Sequence, residues 1–351
     1  MKLKSNAFVE ATKATKALVW PEIKKYLKQT SQFPQYCQVP GKYQNMVQLH
    51  QEMVDNYPVR MGKYVRPTLV LLSAQAMGLS PQKAVKTAAA MEMSENWILC
   101  HDDIEDDSLQ RRGLPAIHRV YNKELAINAG DGMHNLMWKI VSDINNPAIS
   151  EEFYQLQNRT VLGQTIEIKW TQDNRVDLKE EDILLILESK TAYYTIAGPM
   201  RLGAILAGAN KKQLDLIYQL GKPLGYCFQI RDDLLDLTSD FSGLKQQVGN
   251  DIYEGKRTIM LIHLLGHIKG KDKTKLLSIL EKDRYHKTAT EVVWVIKTMD
   301  KCGSLEYSRQ LIEKYANQAR ILLETKLQFL DHQPARDQLF AFIEFLKTRK
   351  H

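Results

Sequence analysis

The chain has 351 residues, 44% of them hydrophobic and 25% charged, the balance of an ordinary globular protein with enough apolar content for a sizeable core. Only 18 glycines and 11 prolines are present, which disfavours all-β folds built on tight turns and favours long helices. The net charge of +7 points to a negatively charged partner. The basic residues are spread along the chain without an RNA-binding or zinc-finger signature, so no nucleic acid partner is expected; anionic diphosphate substrates would suit a basic cleft.

Four cysteines, Cys37, Cys100, Cys227 and Cys302, lie far apart and form no CxxC pair. That argues against zinc and against a disulfide framework, and it fits a reducing compartment. The opening sequence, MKLKSNAFVEATKATKALVW, has no apolar core of signal-peptide length. No window reaches the roughly 18 uncharged apolar residues of a membrane span. The expected setting is the cytoplasm.

From about residue 1 to 50 the chain is comparatively polar and is expected to wrap the bundle rather than build its centre. Beyond it, apolar residues recur three and four apart, as at Leu69, Leu72 and Ala76 and again at Leu184, Leu187 and Ala192. This is the period of helices with one buried stripe. Breaks fall at Pro67, at Gly78-Leu79-Ser80-Pro81, at Gly113 to Pro115, at Asn145-Asn146-Pro147, at Pro199 and at Gly303. Ser80 before Pro81 reads as an N-cap with proline at the first helical position. Residues 269–285, rich in Lys and Asp, read as an exposed loop with a short helix. No stretch sustains strand alternation. The expected fold is all-α, one domain of ten to thirteen helices over residues 1–351, with a motif-bearing core at about 60–260.

Two acidic sequences carry the chemistry. The apolar run Asn96-Trp97-Ile98-Leu99-Cys100-His101 ends in Asp102-Asp103-Ile104-Glu105-Asp106-Asp107. Residues four apart on a helix lie roughly 40° apart around its axis, so Asp102 and Asp106 share a face. Carboxylates stacked in this way repel one another unless a cation sits between them, and their oxygens are the hard ligands magnesium prefers. Alone, such a run is equally a solvated helix end. The second copy, Asp232-Asp233-Leu234-Leu235-Asp236, repeats the spacing after another apolar stretch. Two such helices facing each other make an acidic pocket where magnesium ions clamp a diphosphate as its carbon–oxygen bond breaks.

Basic residues cluster around these motifs. Arg111 and Arg112 follow the first; Lys63 and Arg66 stand three apart before a helix start; Lys190-Thr191 and Gly255-Lys256 complete the candidate phosphate ligands.

In chain order the motifs are Gly62-Lys63-Tyr64-Val65-Arg66-Pro67, the first acidic run with Ser108 to Gly113, Ala126 to Asp131, Gly163-Gln164, Lys190-Thr191, Phe228-Gln229-Ile230-Arg231 with the second acidic run, and Glu254 to Thr258. This series resembles the trans-isoprenyl diphosphate synthases, the family of farnesyl and geranylgeranyl diphosphate synthases. The likeness runs from about Gly62 to Thr258 and continues more weakly at Cys302 to Ser308.

The resemblance implies a helical bundle around a deep cavity, a homodimer, and head-to-tail prenyl transfer to a product of fifteen to twenty carbons. It implies magnesium, three ions per active site, held by Asp102, Asp106 and Asp232, with Asp103, Asp233 and Asp236 in support. It places Arg111, Lys190, Thr191, Gln229 and Lys256 on an allylic diphosphate, and Lys63, Arg66 and Arg112 on isopentenyl diphosphate. Glu167 stands where the family often has Asp, on the wall near the metals. Trp97 and Ile98, five and four residues before the first motif, would form the floor under the growing chain, although an apolar stripe at that spacing is more commonly plain core.

The sequence departs from the family at three points. Glu95 stands where His or Gln is usual, seven residues before Asp102, and its charge would repel a diphosphate unless it is protonated or paired with an arginine or lysine. Tyr64 replaces a frequent arginine. Gln246, beside Lys245, replaces the lysine expected five residues before Asp251. Two other functions therefore stay open. One is a synthase-like terpene synthase that ionises a prenyl diphosphate without isopentenyl diphosphate; the other is a non-catalytic subunit modulating a partner synthase. Trp97→Ala should lengthen the product, read by mass; unchanged length would remove Trp97 from the floor.

Overall fold

The computed structural model describes residues 6–238 and 248–349, so Lys245 and Gln246 lie outside the described residues. The three- and four-residue stripes fold as helices throughout. The first half runs α1 (Asn6–Leu27), α2 (Gln44–Arg60), α3 (Val65–Ala76), α4 (Val85–Glu105), α5 (Ile117–Val120), α6 (Lys123–Ile144) and α7 (Pro147–Gln172). After α8 (Glu180–Ile186) comes a π-helical segment, Leu187–Ala197, then α9 (Gly198–Leu206) and α10 (Lys211–Thr238). The chain closes with α11 (Asn250–Glu254), α12 (Ile259–His267), α13 (Gly270–Leu280), α14 (Ala289–Lys301), α15 (Ser304–Thr325) and α16 (Ala335–Thr348).

This all-α domain has more helices than periodicity predicts, because α5, α8 and α11 are pieces of 4, 7 and 5 residues. Among the described residues the only strand pair is a ribbon of β1 (Gln110–Arg111) and β2 (Leu114–Pro115), and no helix is long and apolar enough to cross a membrane.

Local chemistry sets most boundaries. Asn146 accepts from the Ala148 and Ile149 N–H groups and Pro147 takes the first helical position of α7. Ser80 makes no such bond. A short 3-10 turn, Pro81–Ala84, intervenes before α4 begins, so the cap expected there lies on a different kind of turn.

Two expectations about the periphery change. The polar N-terminal part does more than wrap: Phe8, Val19 and Ile23 of α1 are almost completely buried, against Phe342 of α16 and within the α4 and α6 core. Polar residues dominate its composition because only one face of α1 is covered. The Lys- and Asp-rich stretch from 269 likewise carries a full helix, α13, with Leu276, Ile279 and Leu280 buried.

The interior has two apolar clusters. One joins α10, α12, α15 and α16, and the other joins α4, α6 and part of α7. Met91, Met93, Met133 and Met137 are fully buried in the second, where an unbranched side chain fills irregular space. Helix α10 lies directly against the π-helical segment. Gly221 and Gly225, one turn apart, face the backbones of Ala197 and Ala192 so closely that a Cβ on either would overlap them. This close approach brings the second acidic motif opposite Lys190 and Thr191.

Gly225→Val should therefore destabilise the fold by about 2 kcal/mol through overpacking. Gly266→Ala, on α12 where nothing lies within 4 Å, should stabilise it by up to ~1 kcal/mol. Urea midpoints at constant slope check both.

Candidate active site

Both acidic motifs sit at C-terminal helix ends. Asp102 and Asp103 occupy the last turn of α4 and Asp106 caps it; Asp232, Asp233 and Asp236 fall in the last turns of α10. Helix C-termini carry partial negative charge, so acidic groups there are destabilised by the helix itself. Their neighbours are accordingly cations and N–H donors.

The first motif is folded back on by the ribbon. Arg112 and Gly113 both take left-handed backbone angles, φ 55° and 77°, the requirement of a tight hairpin of primed type. The turn carries Arg111 onto α4, where its Nε donates to both oxygens of Asp103 at 3.0 Å. Asp103 is fully buried and also accepts from the Tyr57 hydroxyl. Asp103 is thus turned into the protein, bracing Arg111, whose Nη2 also donates to Asp103 and lies 3.7 Å from Asp102.

Asp102 faces the other way. Its Oδ1 accepts from Gln164 at 3.1 Å and from Lys190 at 3.3 Å. Lys190 is shared with Glu167 at 2.8 Å. Burial alone would raise the Asp102 pKa, but Lys190 and Arg111 outweigh it and hold the carboxyl below its ordinary value. Asp106 goes the opposite way: burial and the neighbouring charges of Asp102 and Glu254 push it well above the carboxylate range. Lys190 and Lys256 are both raised despite burial, because carboxylates surround them.

On the second wall, the Thr191 hydroxyl donates to Gln229 at 2.9 Å and Gln229 donates to Asp233 at 2.8 Å. Lys256 reaches the same Asp233 oxygen at 3.1 Å. Asp236 is buried and accepts the Asp251 N–H at 3.0 Å, anchoring α11. Asp232 is the outward member, its side chain 47% exposed, with Arg349 at 3.3 Å.

The remaining basic residues form a separate group. Arg66 pairs with Glu95 at 2.8 Å, donates to Thr195 at 2.8 Å and stacks over the Tyr194 ring. Arg112 donates to the Tyr57 carbonyl at 2.7 Å and to Asn96 at 2.8 Å, with Glu92 at 3.7 Å. Burial raises Glu92 to about 7 against the pull of Arg112. Lys63 is exposed. Tyr64, in left-handed conformation at φ 57°, is buried and starts α3.

The apolar run ahead of the first motif leads to an aromatic cluster. The Trp97 ring lies 4.2 Å from that of His134, which accepts from Trp138 at 3.0 Å; Trp97 and Ile98 are both partly buried.

Sequence reasoning missed Tyr57, Glu92, Arg284 and Arg349. Glu92 precedes Glu95 by three residues and so shares its helix face, a signal that was readable. Nothing in the sequence ties Tyr57, Arg284 or Arg349 to either motif.

The donor set fits magnesium. Among the described residues no three His, Cys, Asp or Glu side chains converge on one point, and magnesium usually takes one or two carboxylates and completes its shell with water and phosphate oxygens. The raised Asp106 carboxyl, crowded by Asp102 and Glu254, is the group a cation would relieve.

Residues 47–299 match the polyprenyl synthetase family. A short chain isoprenyl diphosphate synthase of Methanothermobacter thermautotrophicus is 32% identical over 294 residues, 83% of this chain and 87% of that protein. The crystal structure of geranylgeranyl pyrophosphate synthetase from Pyrococcus horikoshii superposes with a TM-score of 0.81 at 26% identity, covering 98% of both chains. Geranylgeranyl pyrophosphate synthase from Corynebacterium glutamicum, solved with isoprenyl diphosphate and magnesium, shares the fold with a TM-score of 0.84 at 22% identity, over 96% of this chain and 99% of that one. With matching motif order, matching fold and a family match over most of its length, the chain belongs to the polyprenyl synthetase family.

Proposed function

We propose that this trans-prenyltransferase condenses an allylic diphosphate with isopentenyl diphosphate to a trans-prenyl diphosphate of fifteen to twenty carbons. The observation that carries the reading is the pair of acidic walls with Lys190 on one and Lys256 on the other, 3.3 Å from Asp102 and 3.1 Å from Asp233. Asp102, Asp106 and Asp232 would hold magnesium, three ions in all. Bound there, the ions supply Lewis-acid neutralisation of the leaving pyrophosphate.

The chain's own residues do the rest. Lys190, Lys256, Thr191 and Gln229 hold the allylic diphosphate, together with Arg111, which is braced on Asp103 through Nε and Nη2. Lys190 is tied to Asp102 and Glu167, and Lys256 to Asp233; phosphate oxygens would compete with these carboxylates for the ammonium groups. Lys63, Arg66 and Arg112 hold isopentenyl diphosphate, whose double bond attacks the allylic cation, and the proton leaves to the released pyrophosphate. Partly buried Trp97 and Ile98 supply the apolar floor that keeps the cation from water.

The reading carries a homodimer in the cytoplasm. Exposed Tyr154, Val161 and Leu162 on α7 and Ile127 on α6 support a second copy covering these helices, and four free thiols support a reducing compartment.

A second reading has an observation of its own. Glu95 holds Arg66 at 2.8 Å, and the same guanidinium donates to Thr195 at 2.8 Å. A protein in which Arg66 stays committed to Glu95 would ionise a prenyl diphosphate and cyclise or quench it unaided.

The assay incubates the purified protein with magnesium and geranyl or farnesyl diphosphate, with and without labelled isopentenyl diphosphate, and identifies products by mass. Label in a longer chain is the expected result. A hydrocarbon or alcohol without label would replace condensation with the second reading.

Glu95→Gln removes the charge that Arg66 now neutralises. It should lower the KM for isopentenyl diphosphate by about tenfold, equivalent to ~1.4 kcal/mol, with little change in the KM of the allylic substrate. Equal KM values for wild type and variant would show that the ion pair does not compete with that substrate.

A further inference from the structure

The segment 281–288 joins α13 to α14 and touches both acidic walls, although it lies far from each motif in sequence. Arg284 is its centre. One guanidinium nitrogen, NH1, donates to the Asp106 carbonyl at 3.1 Å and lies 3.0 Å from the Glu254 carboxylate. The other, NH2, donates to Asn250 at 2.8 Å. The Arg284 side chain is only 18% exposed and that of Glu254 14%, so solvent screens this arrangement weakly.

The neighbours of Arg284 fasten the same connection. The Tyr285 hydroxyl donates to Asp107, which also pairs with Arg119 at 2.8 Å. Lys287 donates to the carbonyls of Tyr253 at 3.1 Å and Lys282 at 2.6 Å, and Lys282 pairs with Glu291 in the first turn of α14. Contacts from one short segment therefore reach residues 106–107 on one side and 250–254 on the other.

The electrostatics explain why a cation stands there. The Asp106 carbonyl ends α4 and carries the negative end of that helix. The Glu254 carboxyl lies 3.0 Å from the same guanidinium nitrogen, on the side of the second wall. A fixed guanidinium between them offsets repulsion that would otherwise spread the walls. Its planar fork bonds both sides at defined angles, which a lysine could not do.

We propose that Arg284 is a positioning residue that clasps the two acidic walls, setting their separation for metal and diphosphate. The inference rests on the assignment of these walls to magnesium and an allylic diphosphate. Arg284 itself touches the walls through the Asp106 backbone and α11, outside the carboxylates assigned to the metal.

Two measurements on the full chain test the clasp. Hydrogen exchange of ligand-free wild type and Arg284→Ala reads the walls directly. Amides at 104–109, where Asp106, Asp107 and Ser108 donate to Asp102, Ile104 and Asp103, and amides at 248–256 should both exchange at least tenfold faster in the variant. Calorimetry with an allylic thiodiphosphate, which resists ionisation, at saturating magnesium should show at least tenfold weaker binding. Arg284→Lys should recover part of the affinity, since it restores the charge without the fork. Faster exchange confined to 281–288, or unchanged affinity, would overturn the proposal. If Arg284→Ala fails to fold, Asn250→Ala loosens the clasp from the α11 side and must show the same paired exchange. Wild-type protein that does not bind the thiodiphosphate would overturn the metal and diphosphate assignment instead, whatever the exchange shows.

Discussion

Acidic side chains gathered at the negative ends of two helices are the constraint around which this molecule is organised. Ordinary helices place acids at their beginnings; α4 and α10 place theirs at the end. Each carboxylate then needs a partner, and the structure provides one residue at a time: Arg111 for Asp103, Lys190 for Asp102, Lys256 for Asp233, Arg349 for Asp232. The partners come from the ribbon, the π-helical segment, the stretch after α11 and the end of α16. Much of the chain's topology is thereby recruited to one cavity. Such a pocket is costly without cations and receptive to them, which is the property a diphosphate-ionising enzyme needs.

The two sides of the pocket differ in how their ion pairs can be undone. On the acidic walls, under the proposed roles, Lys190 would give up Asp102 for phosphate as Asp102 takes a cation in its place. Around Arg66 and Arg112 the acids are Glu95 and Glu92, which belong to no motif and gain nothing when one basic partner leaves. In the proposed reaction, ionisation and condensation would therefore be prepared unequally by the same principle of pairing.

The range of each interaction decides how much of this was readable in the sequence. Helices were legible because their period is local, and the paired aspartates because spacing of one and four is local too. The division of labour within Asp102-Asp103 was not. Whether a carboxylate faces the cavity or the core depends on Arg111 and Tyr57, and Arg111 arrives by a hairpin where the sequence reading placed only a break at Gly113 to Pro115. The polar character of α1 hid its role, since composition averages over faces and Phe8 and Val19 lie on the covered one. Residues 269–285 read as an exposed loop with a short helix because their lysines and aspartates look alike whether they meet water or another segment.

The π-helical stretch Leu187–Ala197 has a consequence for how the chain tolerates change in length. A π turn is an α-helix that has accommodated an extra residue. Removing one residue upstream of Lys190 within it would restore the α pattern and shift the side chains inside the segment to new places on the helix surface. Lys190 and Thr191 now serve opposite walls, one at Asp102 and one at Gln229, and both pairings depend on where the π turns set them. The length of this helix is thus part of how the two walls are spaced, alongside the residues that line them.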